Sequence, residues 1–249
     1  MKRPAEMLDL TGKVVIVTGA GGSIGAGIAR RLSGAGASVV AHSRTSEVDA
    51  LDGPHAVVQA DLASEDGPGA VLAAALHEFD TVHGLVNNAG IQPRSSLADL
   101  DDAGWREMLE TNLTAVHRLT RLAAAHLAGH GGGSIVHIAS IEGSQPAPFH
   151  GHYATAKAGL IMHARAAALE YGSDGVRVNT VSPGLIDRPG LEDDWPEGVA
   201  RWHAAAPLGR MGTPEDVGDA CVFLVSDLSR WITGIDLVVD GGVLTHPTW

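Results

Sequence analysis

The stretch that decides the fold reads Val14-Val15-Ile16-Val17-Thr18-Gly19-Ala20-Gly21-Gly22-Ser23-Ile24-Gly25. Its first four residues are β-branched without interruption, which is typical of a strand buried on both faces. The glycines let the backbone turn sharply, and apolar residues then recur at helical spacing over residues 24–32. Alone, the turn would also suit an ordinary chain reversal. Between a strand and a helix it predicts a phosphate site, because a helix N-terminus presents free N–H groups and partial positive charge.

The same alternation of short apolar runs and helical patterns continues along the chain. Strands are predicted at residues 14–17, 38–41, 56–58, 84–86, 134–138, 176–181 and 235–239, and helices at 24–32, 70–79, 103–128, 153–171 and 214–225. Because alternating strands and helices need right-handed crossovers, the pattern predicts an α/β fold. We expect a doubly wound, parallel, seven-stranded Rossmann-type sheet covered by helices on both faces, a three-layer α/β/α arrangement.

Domain organisation follows from the same pattern. No linker or shift in composition marks a second domain, so residues 1–249 are expected to form one dinucleotide-binding and catalytic domain. The long irregular stretch over residues 184–209, with a short helix at 197–205, predicts a substrate-binding lid, because long loops in compact domains are often functional.

Composition excludes several classes of protein. The 249 residues carry a net charge of −12, and scattered Lys and Arg residues argue against a nucleic-acid or anionic-membrane partner. The single cysteine, Cys221, excludes a disulfide scaffold. With no apolar leader and no run of 18 apolar residues, we expect a cytoplasmic protein. None of the 13 histidines lies in an HExxH-like cluster, so no catalytic metal site is predicted.

The glycine-rich turn resembles the TGxxxGxG motif of the short-chain dehydrogenase/reductase family, with Ser23 in place of the middle glycine. Asp61-Leu62, Asn87-Asn88-Ala89-Gly90 and Pro183-Gly184 follow predicted strands and resemble the family's adenine, ribose and nicotinamide segments. The chain thus resembles the short, single-domain type with a YxxxK motif. The resemblance implies these cofactor-binding residues: Thr18, Gly19, Gly22, Ser23, Ile24, Gly25, Asp61, Leu62, Asn88, Ala89, Gly90, Tyr153, Lys157, Pro183, Gly184 and Ile186.

The YxxxK motif is Tyr153-Ala154-Thr155-Ala156-Lys157. Residues i and i+4 share one helix face, so a phenol and an ammonium group can meet in one site, although packing and a solvated lysine would give the same pattern. A neighbouring ammonium and a positive nicotinamide both favour phenolate, which acid–base catalysis requires. The resemblance implies that Ser140 stabilises the substrate oxygen, and that Asn112 holds a water completing a proton relay to Lys157.

Cofactor preference is read at the end of the second strand, His42-Ser43-Arg44. NAD sites usually place an acidic residue there for the ribose hydroxyls, and this chain has none. Ser43 and Arg44 are therefore predicted to bind a 2′-phosphate, the alternative being a solvated arginine in a loop. NADP(H) is favoured and NAD(H) remains possible.

Substrate contacts are predicted around the catalytic residues and in the lid. The candidates are Ser140, Glu142, Gln145, His150, Tyr153, Arg188, Trp195 and Trp202. Arg188 stands where the family's PGxIxT motif has threonine. It would contact the pyrophosphate or an anionic substrate, or would pair with Asp187 or Glu192. The two tryptophans would wall the pocket or anchor the lid by packing.

The leading hypothesis is an NAD(P)-dependent oxidoreductase acting on a small carbonyl or alcohol, with NADPH-dependent ketone reduction favoured. The alternatives are an NAD-dependent sugar or polyol dehydrogenase and a non-catalytic dinucleotide-binding sensor. An enoyl reductase is disfavoured, because its tyrosine–lysine spacing differs. Small faces at residues 123–125 and 166–168 resemble the family's dimer helices, so a homodimer or homotetramer is expected. Trp231 and Trp249 were further candidates for subunit contacts.

Overall fold

The computed structural model describes residues 3–245 and contains one seven-stranded, all-parallel sheet. The strands are β1 (Val14–Val17), β2 (Ser38–Ser43), β3 (His55–Gln59), β4 (Gly84–Asn87), β5 (Gly133–Ile138), β6 (Val176–Pro183) and β7 (Asp236–Val239). Their order in space is β3-β2-β1-β4-β5-β6-β7. The chain reverses its direction of winding between β1 and β4, and ligands of such sheets bind at the carboxyl ends of the strands beside this point.

Helices cover both faces of the sheet. They are α1 (Pro4–Leu8), α2 (Ser23–Gly34), α3 (Gly67–Phe79), α4 (Asp102–Leu109), α5 (Ala115–Ala128), α6 (Gly151–Tyr171), α7 (Leu191–Asp194), α8 (Pro196–Ala205) and α9 (Pro214–Val225). The helix predicted over residues 103–128 is interrupted by a π-helical turn, Glu110–Thr114, which joins α4 to α5. The short helices α1 and α7 were not predicted, because a single helical turn has no distinct periodicity.

Two apolar layers lie between the sheet and the helices. On one face, Ile28 and Leu32 of α2 pack with Leu224 of α9 against the strands. Cys221 of α9 is fully buried there, and burial raises the pKa of its thiol, which agrees with a packing role. On the other face, helices α3, α5 and α6 form the second layer, and Leu119 of α5 is one of its buried residues. The predicted three-layer fold is confirmed.

The stretch after β6 folds back over the carboxyl end of the sheet. Residues 184–209 contain α7 and α8, and Ile186 forms an isolated parallel bridge with Gly212. Trp202 of α8 lies directly against Gly184, where an added Cβ atom would come within 2.6 Å of the indole ring. Within residues 3–245, no helix is both long and apolar enough to cross a bilayer.

Candidate active site

The glycine-rich turn is bonded to the end of β4. The Thr18 hydroxyl oxygen accepts the backbone N–H groups of Asn88 at 2.9 Å and Ala89 at 3.0 Å. In return, the Asn88 amide donates to the carbonyls of Thr18 at 2.9 Å and Gly19 at 3.2 Å. Gly19 has a φ of +67°, and a Cβ atom there would lie 2.9 Å from the Cα atom of Ala89. Only glycine fits this crossing of two backbones.

Helix α2 begins immediately after the turn, at Ser23. Its first N–H groups have no partner within the helix, which makes this end suited to a pyrophosphate. Gly25 has no room for a side chain, because a Cβ atom would overlap the Gly19 carbonyl. Ser23, which replaces the family glycine, donates its hydroxyl to the Asp187 carbonyl at 3.2 Å. The substitution therefore links the turn to the segment after β6.

A cavity of about 400 Å³ lies at the carboxyl ends of β1, β2 and β4. Eleven predicted cofactor residues line it: Gly19, Gly22, Ser23, Ile24, Gly25, Arg44, Asp61, Leu62, Asn88, Ala89 and Gly90. It is also lined by residues that we did not predict: His42, Thr45, Ser46, Ala60, Ala63, Ile91 and Thr111. Most of these are sequence neighbours of predicted residues, so extending each strand-end motif by a residue or two would have found them.

The two residues predicted to bind a 2′-phosphate differ in the structure. Ser43 is buried, does not line the cavity, and donates its hydroxyl to the Ser46 carbonyl at 2.7 Å. Arg44 is exposed at the cavity, and within the described part of the chain its guanidinium has no acidic partner. Of the two, Arg44 is therefore the residue available to an anion.

His42 holds the turn from the side of β2. Its Nδ1 atom accepts the Gly19 N–H at 3.3 Å, and its Nε2 atom lies 3.0 Å from the Ala60 carbonyl. Burial lowers the pKa of this imidazole, which keeps it neutral and able to accept at Nδ1. Sequence periodicity did not reveal this role of His42, because a polar residue at the end of a strand does not alter the apolar pattern.

Ser140, Tyr153 and Lys157 come together at the carboxyl end of β5. The Tyr153 phenol lies close enough to the Ser140 hydroxyl for that group to lower its pKa. The Lys157 Nζ atom lies 5.5 Å from the centre of the Tyr153 ring and donates to the Ile138 carbonyl at 2.7 Å. Ser140 caps the 3₁₀ turn that follows β5 and accepts the Glu142 N–H at 3.1 Å. The three groups form a compact donor–acceptor cluster.

Burial shifts the two titrating groups of this cluster in opposite directions. It raises the pKa of Tyr153 to about 12, with a further increase from the Glu142 charge and a partial offset from the Ser140 hydrogen bond. It lowers the pKa of Lys157 to about 8. We had expected Lys157 to move the phenol towards phenolate. Burial and the Glu142 charge instead favour the neutral phenol, so Tyr153 is protonated at neutral pH.

Asn112 lies in the π-helical turn and is fully buried. Its side-chain oxygen accepts the Ile91 N–H at 2.8 Å, and its amide group donates to the Ile91 carbonyl at 2.8 Å. The amide group also contacts the Met108 sulfur at 2.9 Å. This reciprocal pairing fixes the loop that follows β4 and lines the cavity. It also engages the Asn112 side chain, which was predicted to hold a water of the proton relay.

A polar wall lies beside Tyr153. The Glu142 carboxylate contacts the His150 Nδ1 atom at 2.9 Å and accepts the Gln92 amide at 3.1 Å. The rings of His150 and Tyr153 are 6.1 Å apart, centre to centre. Glu142 and His150 were predicted substrate contacts. Gln92 was not, although it stands directly after the Asn87–Ile91 segment.

The short-chain dehydrogenase model described as "Enoyl-(Acyl carrier protein) reductase" matches residues 19–244. The chain belongs to the short-chain dehydrogenase/reductase family. It is 38% identical to cis-4-hydroxycyclohexanecarboxylate dehydrogenase of Sinomonas cyclohexanicum, over 92% of this chain and 96% of the relative. It is 36% identical to 3beta-hydroxysteroid dehydrogenase 1 of Eggerthella lenta, over 96% of each chain.

A solved structure gives the same result. The solved complex of 7 alpha-hydroxysteroid dehydrogenase with NADH and 7-oxo glycochenodeoxycholic acid is 32% identical, with a TM-score of 0.91. The match covers 97% of this chain and 98% of that chain. As a member of this family, the protein is an oxidoreductase that acts on CH–OH groups and transfers hydride with a nicotinamide dinucleotide.

The residues of this short-chain dehydrogenase fit a dinucleotide. The cavity has glycines where a Cβ atom would block the backbone, a free helix N-terminus and an unpaired Arg44 at its edge. Pro183, Gly184 and Ile186 do not line it and lie further along the sheet edge, where the Gly184 N–H donates to the Val239 carbonyl at 2.9 Å. Within residues 3–245, no group of three or more His, Cys, Asp or Glu side chains could hold a metal ion.

The remaining predicted substrate residues are dispersed. The exposed Arg188 pairs with Asp194 at 2.8 Å, instead of with Asp187 or Glu192. Gln145 is exposed, and Trp195 is partly exposed with the Arg201 guanidinium 5.8 Å from its ring centre.

Only Trp202 reaches the predicted nicotinamide segment. Its indole N–H is buried and meets no acceptor in the described part of the chain. A buried donor of this kind suits an acceptor on a bound ligand.

Proposed function

We propose that this enzyme interconverts a ring alcohol and the corresponding ketone and prefers NADP(H) to NAD(H). The convergence of Ser140, Tyr153 and Lys157 carries the proposal. The π-helical turn packs against α6 and is bonded through Asn112 to Ile91 at the cavity, which supports a position of the cluster near a bound nicotinamide. The ring-alcohol class is supported by the relatives, whose names describe alicyclic and steroid alcohols.

In the reducing direction, the bound dinucleotide supplies a hydride to the carbonyl carbon. Tyr153 donates its phenolic proton to the carbonyl oxygen as negative charge develops there, and its raised pKa keeps that proton in place until then. The Ser140 hydroxyl donates to the same oxygen. Lys157, held by the Ile138 carbonyl, stabilises the resulting phenolate. Asn112 holds the cavity loop through its two hydrogen bonds to Ile91, so the proposed water relay would depend on the acceptor capacity that its oxygen retains.

Oxidation of the alcohol reverses these steps and requires Tyr153 to accept a proton. The raised pKa of Tyr153 opposes this, so oxidation is expected to become faster at alkaline pH. The difference in pH dependence between the two directions therefore tests the assignment of Tyr153 as the acid–base group.

Arg44 is proposed to bind the 2′-phosphate of NADP(H), with support from its free guanidinium and from the lack of an acidic residue at the end of β2. Titration of the purified protein with NADPH and NADH, followed by quenching of tryptophan emission, tests this. We expect tighter NADPH binding that Arg44→Ala weakens about tenfold to a hundredfold, with little change for NADH. Arg106→Ala, which removes an exposed arginine of α4, is the control.

NADH binding that is tighter than NADPH binding, and that Arg44→Ala does not change, would instead support the second candidate, an NAD-dependent sugar or polyol dehydrogenase. The polar wall of Glu142, His150 and Gln92 favours that candidate. Binding without turnover of any alcohol or ketone would favour a dinucleotide sensor.

The stretch over residues 184–209 is proposed as a lid over the substrate within one dinucleotide-binding and catalytic domain. Assembly is proposed through α5 and α6, where Met162 and Leu169 expose 59% and 85% of their surface. A homodimer or homotetramer would cover these side chains, and light scattering after size-exclusion chromatography measures the mass. Trp231 is 97% exposed and is a further candidate contact, whereas Trp249 lies outside the described residues. The cytoplasmic location stays a prediction.

A further inference from the structure

Glu142 and His150 form a nearly buried carboxylate–imidazole pair next to the reacting groups. Their side chains are 15% and 16% exposed, and the His150 Nδ1 atom lies 2.9 and 3.1 Å from the two carboxylate oxygens. The Gln92 amide donates to one of these oxygens at 3.1 Å. Two side chains from separate parts of the chain, His150 and Gln92, therefore hold this carboxylate in a fixed position.

The backbone ties this carboxylate to the catalytic residues on both sides. Glu142 is two residues after Ser140, and its N–H donates to the Ser140 hydroxyl oxygen at 3.1 Å. His150 immediately precedes α6, three residues before Tyr153. The Glu142 charge is close enough to Tyr153 to raise the pKa of its phenol. A substrate whose oxygen lies between Ser140 and Tyr153 would therefore have its neighbouring atoms near Glu142.

The cationic side chains that are candidates to bind a substrate carboxylate are engaged with other groups. The Lys157 ammonium donates to the Ile138 carbonyl, and Arg188 is paired with Asp194. The Arg94 guanidinium stacks on the Phe149 ring, 5.4 Å from its centre. A substrate carboxylate in this pocket would face Glu142 without a free counter-charge from these three groups, and two like charges at close range in a poorly solvated site repel strongly.

A substrate hydroxyl would meet the opposite situation. A carboxylate has about four lone-pair positions, and His150 and Gln92 leave some of them open. An O–H group on the carbon next to the reacting carbon can donate to one of these positions, in a charge-assisted hydrogen bond. A plain ring alcohol gains nothing from this contact.

We infer that Glu142, held by His150 and Gln92, determines specificity by accepting the second hydroxyl of a neutral ring diol and by rejecting substrates that carry a carboxylate. The inference rests on the proposed function, because it assumes that the reacting oxygen lies between Ser140 and Tyr153. It narrows the substrate class from ring alcohols in general to neutral, vicinally hydroxylated rings.

The test compares three substrates with the full-length enzyme and its preferred dinucleotide: cyclohexanol, cis-1,2-cyclohexanediol and cis-4-hydroxycyclohexanecarboxylate. In the wild type, kcat/KM for the diol should exceed that for the carboxylate at least a hundredfold. In Glu142→Gln, which keeps the shape and removes the charge, this ratio should fall at least tenfold, mainly through KM. Glu78→Gln, at an exposed acid of α3, should leave the ratio at its wild-type value.

A second readout separates charge from structure. Removal of the Glu142 charge should shift the alkaline limb of the oxidation profile to lower pH, because the phenol then ionises more easily. A wild type that prefers the carboxylate, or a ratio and profile unchanged in Glu142→Gln, would overturn the inference. Cyclohexanol reports on the proposed function independently: if it is oxidised by the wild type and not by Tyr153→Phe, the ring-alcohol activity stands whatever Glu142 does.

Discussion

Two polar clusters each combine a residue in or just after strand β5 with one or more residues of helix α6. They differ in how completely their hydrogen bonds are made. The catalytic cluster is Ser140, Tyr153 and Lys157. The histidine chain is Asn87, His137, His163 and His117, which runs from the end of β4 to the surface of α5. Both contain titratable groups whose pKa burial has shifted, so neither burial nor a shifted pKa by itself distinguishes them.

The histidine chain uses its buried ring nitrogens internally. The Asn87 amide lies 3.1 Å from His137 Nδ1, His137 Nε2 lies 3.3 Å from His163 Nδ1, and His163 Nε2 lies 3.2 Å from His117 Nδ1. If each Nε2 carries the hydrogen, one set of neutral tautomers satisfies every link. Burial lowers the pKa of His137 to about 3, which keeps this ring neutral.

The catalytic cluster is less complete. Lys157 makes one hydrogen bond to a carbonyl although an ammonium has three donors, and the Ser140 and Tyr153 hydroxyls retain free capacity. We interpret the incomplete hydrogen bonding of Ser140, Tyr153 and Lys157 as the mark of a reactive site, and the complete network of the histidine chain as the mark of a structural one. Substitutions in the two clusters should therefore have opposite effects on activity and stability.

The largest expected effect is on the chemistry of the catalytic cluster. Tyr153→Phe removes the proton donor and keeps the ring, so kcat should fall about 10²- to 10⁴-fold. The melting temperature should stay close to that of the wild type, because phenylalanine keeps the buried ring and the lost hydroxyl has only Ser140 as a close polar partner among the described residues. Steady-state kinetics and thermal denaturation measure the two quantities. Turnover of Tyr153→Phe at the wild-type rate would show that Tyr153 is not the proton donor.

Lys157→Met should separate activity from stability. We expect about a hundredfold loss of kcat. We also expect a free energy of unfolding equal to or above the wild-type value, because the change removes a buried cation whose pKa burial lowers to about 8. Urea denaturation of the protein without ligands measures the stability. A loss of more than about 1 kcal/mol would show that Lys157 supports the fold as well.

His137→Leu should show the reverse behaviour. The change leaves the Asn87 amide and His163 with unmade hydrogen bonds, which should cost about 1–3 kcal/mol of unfolding free energy. Turnover should stay within about threefold of the wild-type value, since the His137 hydrogen bonds go to Asn87 and His163 and only the charge of Lys157 acts on it from the catalytic cluster. A thousandfold loss of kcat in a folded His137→Leu variant would instead show that catalysis depends on the histidine chain as well.

The smallest effect concerns the pH dependence of stability. His137 has a pKa of about 3 in the folded protein and 6.5 as a free side chain, so between these values the unfolded chain binds more protons. Stability should therefore be full above pH 6.5 and fall as the pH decreases below it, by up to about 1.4 kcal/mol per unit from this residue. Urea titrations between about pH 7 and 5 should show a shallower slope for His137→Leu. Equal slopes would contradict a neutral, buried His137.

Much of the fold could be predicted from local patterns. The β3 strand predicted at residues 56–58 is His55–Gln59 in the structure, and the α9 helix predicted at 214–225 has those same bounds. Periodicity succeeds here because it reports backbone conformation and burial, which neighbouring residues determine together. It failed at Glu110–Thr114, where the sequence reads as a continuous helix and the π-helical turn depends on the contact between Asn112 and Ile91.

Side-chain partners were predicted less well than positions. Ser43 follows its strand as expected, yet its hydroxyl is bonded to Ser46 and does not line the cavity. Arg188 makes a local ion pair, but with Asp194, a residue that only the short helix α7 brings near. In each case the sequence offers several partners of equal chemistry, and the three-dimensional path of the backbone selects one.

Local sequence patterns were enough to predict the parallel sheet, the glycine-rich turn and the tyrosine–lysine pair, because each depends on residues within a few positions of one another. Which polar groups have all their hydrogen bonds made, and which keep free capacity, depends on the three-dimensional fold. Gln92 and Glu142 are 50 positions apart, as are Asn87 and His137, and each pair meets only because β4 lies next to β5. Burial then sets the pKa of Tyr153 and of His137, since the cost of removing a charge from water depends on the whole surrounding fold.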